Sequence, residues 1–103
     1  MDTFFRIQIE EAQQKLRSSN ALFIDVRDYL SHTEGHIEPS FHMDQNNINT
    51  LIKQTPKERP LIVYCYHGHS SQLAAQFLVE SGFSEVYNLE GGYEAWASAS
   101  RTP

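Results

Sequence analysis

Two stretches of this chain, "ALFIDV" (Ala21–Val26) and "LIVYC" (Leu61–Cys65), are apolar almost without interruption. A strand with one wet face alternates apolar and polar residues. Unbroken apolar runs belong to strands covered on both sides, as in a parallel sheet between layers of helix. Parallel neighbours need long crossovers, so helices should fill the intervals. The sequence supplies them. "EEAQQKLRSS" (Glu10–Ser19) sets Ala12 and Leu16 one turn apart, with Asn20 as a stop. Asp28 is placed to cap a short helix over Tyr29–Thr33 that Gly35 ends, and Asn47 to cap one through Ile48, Leu51 and Ile52. Ser71–Ser81 reads as a helix with Ala74, Ala75, Phe77 and Leu78 inward and Gly82 as its stop. Weaker strand signals lie at Phe4–Ile9, Ser40–Met43 and Glu85–Leu89. "EGG" reads as a tight turn before a last helix, Tyr93–Ala99, and "PKERP" (Pro56–Pro60) as a solvated turn. Strand and helix alternate throughout, so the expected class is α/β with a mostly parallel sheet, in one domain over residues 1–103.

Charge narrows the partners. The formal net charge is −5. That argues against nucleic acid, whose phosphates are met mainly by lysine and arginine. An anionic substrate would need a locally positive site. No apolar run approaches a membrane span, and "MDTFFRIQIEEAQ" does not read as a secretory signal. A single cysteine makes no internal disulfide, which favours a reducing, cytoplasmic location with no membrane partner.

That cysteine, Cys65, stands at the carboxyl end of the second strong strand, and a helix begins six residues on. Ligands of parallel α/β sheets bind at this end. The short link "YHGHS" is expected to curl into a cup, with the amides of Tyr66, His67, Gly68, His69, Ser70 and Ser71 facing inward and Gly68 supplying a positive φ. Amides at a helix start hold anions, and the nearest anion is the Cys65 thiolate itself. Such a setting lowers a thiol's pKa and makes it a nucleophile at neutral pH. Ser70 and Ser71 add hydroxyl donors, and His67 and His69 add partial positive charge near pH 7. A buried core cysteine is the plain alternative, but the strand–cup–helix context favours a nucleophile. Cys65, His67 and His69 also form C-x-H-x-H, a spacing that matches no common zinc pattern and lacks a second ligand pair, so no metal is expected.

The cysteine loop "CYHGHSS" resembles the active loop of the rhodanese family, and most of all its small single-domain thiosulfate sulfurtransferases. "DVR" (Asp25–Arg27), "GHI" (Gly35–Ile37) with a later "FH" (Phe41–His42), and "LEGGYEAW" (Leu89–Trp96) resemble that family's other signatures, in order. The resemblance implies a five-stranded parallel sheet of order 3-2-4-5-1 with helices on both faces, and a Cys65 strand next to the one ending in Asp25, so that Arg27 approaches the loop. It also implies the chemistry. Cys65 takes the outer sulfur of thiosulfate, releases sulfite, carries a persulfide, and passes the sulfur to cyanide or a dithiol such as thioredoxin, with no cofactor. Some rhodaneses place arginine or lysine in this loop; histidines and serines stand here, so weak thiosulfate affinity is expected. "GHIEPSFH" departs from the family's usual proline-glycine-alanine after the isoleucine, a change expected to stay away from the chemistry.

Two other functions compete. Cysteine phosphatases and arsenate reductases share the fold by resemblance, but their loop ends in a phosphate-clamping arginine where this chain has Ser71. A non-catalytic rhodanese-like binding module would dispense with the nucleophile, which is present here. Asp25 and Arg27 are expected to support the site by capping backbone or pairing with each other. His36 and His42 read as hydrogen-bonded scaffold, His32 as solvated, Trp96 as core, and Lys57 or Arg59 as a source of long-range attraction.

Overall fold

The computed structural model describes residues 3–101. Its elements run β1 (Phe5–Ile7), α1 (Ile9–Ser18), β2 (Leu22–Asp25), α2 (Tyr29–Glu34), β3 (Phe41–His42), α3 (Ile48–Gln54), β4 (Leu61–Tyr64), α4 (Ser71–Glu80), β5 (Val86–Leu89) and α5 (Gly92–Arg101). The strands form one five-stranded sheet in the order β1-β5-β4-β2-β3, and every pairing is parallel. Read from the other edge this is the 3-2-4-5-1 order that the family resemblance implies. The two apolar runs become adjacent central strands, Leu22 opposite Leu61 and Asp25 opposite Tyr64.

Strand alternation divides the core in two. Leu61 and Val63 join Ile24 and Val86 against Leu51 of α3 and Ala75 and Leu78 of α4. Ile62 and Tyr64 join Ile7, Phe23 and Leu89 on the opposite face, with Ala12 of α1 and the partly buried Tyr93 and Trp96 of α5. Trp96 meets Phe23 edge-on, ring centroids 5.6 Å apart. The same parity carries the next residue, Cys65, toward the face covered by α4.

Local details differ from the sequence pattern. The first strand stops at Ile7, and Ile9 opens α1, where its side chain packs on the second core. Asn47 does not cap α3 with its side chain. Asp44 organises that turn by accepting the amides of Asn46 and Asn47, while Asn47 Oδ1 accepts the Asp44 amide at 2.8 Å. In α4 the fully inward stripe is Ser71, Ala75 and Leu78, spaced four and three residues apart. Phe77 falls off that stripe and is 46% exposed. The two cations of "PKERP" are tied down, while Glu58 is exposed: Lys57 Nζ donates to the Ile52 carbonyl at 2.8 Å and lies over the Phe83 ring, and Arg59 Nε donates to Asn20 O at 2.8 Å.

Candidate active site

β4 delivers Cys65 to the carboxyl edge of the sheet, 4% exposed. The chain then turns back through Gly68 at φ +94°. A side chain there would be strained by that φ, and its Cβ would stand 3.0 Å from the Leu89 carbonyl and from the Gly91 amide. The curl aims the Gly68 amide at Cys65 Sγ (3.1 Å), and the first residue of α4 adds the Ser71 amide (3.3 Å). The thiol itself contacts Ser71 Oγ at 3.2 Å. Of the six amides from Tyr66 to Ser71, these two reach the sulfur among the described hydrogen bonds.

Three elements keep the curl closed. Gln72 Nε2 and Asn88 Nδ2 both donate to the Gly68 carbonyl, at 3.0 and 3.1 Å. Behind the loop, the start of α5 donates its Tyr93 and Glu94 amides to the carbonyls of Cys65 (2.8 Å) and Tyr66 (3.0 Å). Those donors would otherwise go unpaired in the first turn of the helix. The approach is so close that a Cβ on Gly92 would lie 2.5 Å from both carbonyl oxygens. The "EGG" segment is therefore more than a turn: it is the rear clamp of the cysteine loop.

Burial pushes the Cys65 thiol up, but hydrogen bonds from the Ser70 and Ser71 hydroxyls and from the Ser71 and Gly68 amides outweigh it, leaving a pKa of about 7. Near neutral pH a large share of the sulfur is thiolate, in a site where the donors are neutral dipoles. At the mouth, the exposed Tyr66 ring stands edge-on to His67, and His67 Nδ1 is 3.0 Å from Glu94 Oε1. The positive charge expected from His67 thus has a carboxylate beside it. His69 and Ser70 are exposed on the same loop.

The end of β2 is built differently. Asp25 is fully buried, and its carboxylate accepts from Arg27 Nε (3.0 Å), Arg27 Nη2 (2.7 Å) and the Arg27 amide (2.9 Å). Burial alone would push the carboxyl up; the bonds from Arg27 and His32 hold it below the ordinary carboxylate range. Arg27 Nη2 also donates to the Gly35 carbonyl at 2.6 Å, and the guanidinium lies 4.3 Å from the Tyr93 ring centroid. His32 is not solvated as its sequence setting suggested. Its side chain is 14% exposed, with Nδ1 2.9 Å from Asp25 Oδ2 and its ring stacked on His36 at 3.9 Å. His42 Nε2 pairs with the Arg27 carbonyl at 2.7 Å and His36 Nδ1 with the His32 carbonyl at 2.6 Å. Arg27 does approach the loop: with Tyr66, Tyr93 and Glu34 it lines a cavity of about 230 Å³. Among the described residues no group of three or more His, Cys, Asp or Glu side chains is arranged to hold a metal ion.

Asn88, Gln72, Tyr93 and Glu94 all touch this loop; Tyr93 and Glu94 lie in the "LEGGYEAW" signature, but the sequence assigns none of the four a place at the site. Asn88 alone left a signal: it is the polar residue in "EVYNL", in the middle of a strand whose neighbours are apolar.

A parallel sheet of this order, with a cysteine between the central strand and the helix that follows, is the arrangement of a rhodanese-like domain. Residues 8–99 match the Rhodanese-like domain family, and the chain belongs to it. It is 46% identical over 97 residues to the thiosulfate sulfurtransferase GlpE of Pseudomonas paraeruginosa, covering 94% of this chain and 87% of that protein. To the GlpE of Stutzerimonas stutzeri it is 48% identical over 96 residues, covering 93% and 87%. Among solved structures, the rhodanese-like domain of an Anabaena protein superposes with a TM-score of 0.82 at 24% identity, covering all of this chain and 86% of that one. A Rhodopseudomonas palustris protein described as a possible tyrosine phosphatase does so with a TM-score of 0.79 at 27% identity, covering 94% and 82%.

Proposed function

We propose that this sulfurtransferase takes the outer sulfur of thiosulfate onto Cys65 and hands it to a nucleophilic acceptor. The Cys65 thiolate attacks that sulfur, a Cys–S–S bond forms, and the bond to the sulfite sulfur breaks with its electron pair, releasing sulfite. The persulfide is anionic and occupies the cup in place of the thiolate. An acceptor then attacks its terminal sulfur. Cyanide leaves as thiocyanate and regenerates the thiolate; a dithiol of the thioredoxin kind instead takes the sulfur as its own persulfide, freeing the Cys65 thiolate, and its second thiol then closes a disulfide and releases hydrosulfide. Every electron pair is accounted for by donor, cysteine and acceptor, so the reaction needs no cofactor.

The observation that carries this reading is the convergence of the Gly68 and Ser71 amides on Cys65 Sγ, at 3.1 and 3.3 Å, in a site where the thiol ionises at about 7. Fixed donors aimed at the sulfur serve the thiolate and, after transfer, the persulfide, without reorganising between steps. Tyr66, His67, His69 and Ser70 form the exposed part of the loop where thiosulfate enters, and Asp25 with Arg27 braces the neighbouring strand end.

A phosphatase needs a cation where the phosphate docks. Here Ser71 holds that position, fully buried, with its hydroxyl turned to Asn88. Mass spectrometry after thiosulfate treatment tests the proposal: a gain of one sulfur atom on Cys65, with an equal release of sulfite, is expected. An accessible but unmodified thiol, or Cys65-dependent hydrolysis of an aryl phosphate in its place, overturns it.

A further inference from the structure

The hydrogen bonds around Ser71 do not close in the way a thiolate requires. Asn88 is fully buried on β5, and each of its polar atoms is assigned. Its Nδ2 donates to the Gly68 carbonyl (3.1 Å) and to Glu90 Oε2 (3.0 Å), both of which only accept. That fixes the carboxamide's orientation and leaves Oδ1, an acceptor, facing Ser71 Oγ at 2.5 Å. While Cys65 is the thiol, the one proton of the Ser71 hydroxyl goes to Asn88, and the donation to sulfur that helps lower the thiol's pKa is made only once the hydroxyl turns. Toward Cys65 the hydroxyl therefore shows a lone pair, which suits S–H and opposes S⁻. To donate to the ionised sulfur the hydroxyl must turn, and Asn88 Oδ1 is then left buried without a donor.

We propose that Asn88 is a positioning residue for sulfur transfer: by competing for the Ser71 hydroxyl proton, it sets whether Cys65 meets a donor or a lone pair at the head of α4. This deepens the reading of Cys65 as the sulfur carrier and rests on it. The thiol form and the anionic forms ask opposite things of Ser71, and Asn88 is the group that arbitrates. The two backbone amides on the sulfur stay constant in both states, so the hydroxyl is the adjustable member of the set. Other charged groups surround the site and act on it alongside this switch: His67 and His69 on the loop, Glu94 on α5, Glu90 with its Arg6 partner beyond β5, and the paired Asp25 and Arg27 at the end of β2. In α4 the first turn carries no acidic residue.

A double-mutant cycle on thiol ionisation tests this. The readouts are the thiolate ultraviolet absorbance and the iodoacetamide alkylation rate of the intact chain, each followed against pH. Asn88→Leu keeps the side-chain bulk and frees the hydroxyl, while Gln72 still holds the Gly68 carbonyl. The midpoint of Cys65 ionisation is expected to fall by about one pH unit, so alkylation well below the midpoint accelerates by up to about tenfold. In a Ser71→Ala background the same substitution is expected to shift nothing. Asn88→Ala, which frees the hydroxyl without crowding the core, should lower the midpoint in the same direction when Ser71 is present and leave it unmoved when Ser71 is absent. This second variant keeps the test decisive if the leucine is poorly tolerated. Equal shifts with and without Ser71, or no shift in either Asn88 variant, overturn the proposal. Alkylation requires no thiosulfate, so a protein that obeys the cycle yet releases no sulfite counts against the proposed function and leaves the Asn88 assignment standing.

Discussion

The adjacent central strands β2 and β4 each end in an anionic group, and the two are stabilised by opposite means. Asp25 is met by a full positive charge: Arg27 embraces it through Nε and Nη2, and His32 closes the remaining side. Cys65 is met by dipoles, two backbone amides and the hydroxyls beside it. A carboxylate in a tight ion pair is spent; its lone pairs are occupied and its charge cancelled. A thiolate held by neutral donors keeps its charge and its nucleophilicity. On the proposed function, two strand ends in one sheet thus become a brace and a reagent, and the type of donor decides which.

The largest test of that division removes the reagent. Cys65→Ser leaves the amides with a hydroxyl of far higher pKa, so the burst of sulfite from thiosulfate in a single turnover should vanish while the melting curve barely moves. A surviving burst would place the sulfur chemistry elsewhere. Asp25→Asn is the converse. It keeps the shape and strands a buried guanidinium, which costs about 3–5 kcal/mol of stability. Urea denaturation measures that loss, and the folded variant should still alkylate at neutral pH. Its acid behaviour gives a second reading. Asp25 has a folded pKa below its unfolded value, so its stabilisation is complete above the unfolded value and fades as pH falls through the folded one. The acid limb of the stability curve should flatten in Asp25→Asn; an unchanged limb would assign it to another carboxylate.

Gly68→Ala touches both sides of the comparison with a smaller effect. The positive φ and the 3.0 Å approach to Leu89 O and Gly91 N together cost about 1–3 kcal/mol. Because relief comes from shifting the Gly68 amide off the sulfur, the ionisation midpoint of Cys65 should rise as stability falls. Lost stability with an unmoved midpoint would mean that the amide does not hold the thiolate.

What the sequence disclosed follows the same division. The sheet was legible because Leu22–Asp25 and Leu61–Tyr64 carry a two-sided apolar signature that few other folds produce, and Gly68 was legible because a short link between strand and helix demands a positive φ. The contacts that come from distant segments were not. Nothing near Asn88 in the chain says that its carboxamide meets Ser71, seventeen residues away. The clamp of α5 on the Cys65 and Tyr66 carbonyls depends on how two helices and a loop meet at one corner, which no local pattern encodes. His32 was misplaced for a related reason. Its period within a six-residue helix is too short to show a buried face, and only the position of β2 beneath it supplies Asp25 as a partner.

The smallest expected effect concerns the mouth of the site. His67 and His69 are the loop's only ionisable cations, since Arg27 is consumed by Asp25, and thiosulfate is a dianion approaching a chain of net charge −5. A protonated His67 would share its charge with Glu94, 3.0 Å away, and both side chains are more than half exposed. Solvent screens such pairs strongly, so any attraction for the substrate is modest. Replacing His67 and His69 together by glutamine should raise the KM for thiosulfate severalfold. The same change should leave kcat where it is, because the dipoles on Cys65 are untouched. Glu94→Gln, which removes the carboxylate beside His67, should move KM the opposite way. If the histidine variant instead lost kcat in proportion to KM, charged side chains would be acting on the sulfur itself, and the contrast between a strand end neutralised by an ion pair and one poised by dipoles would fail.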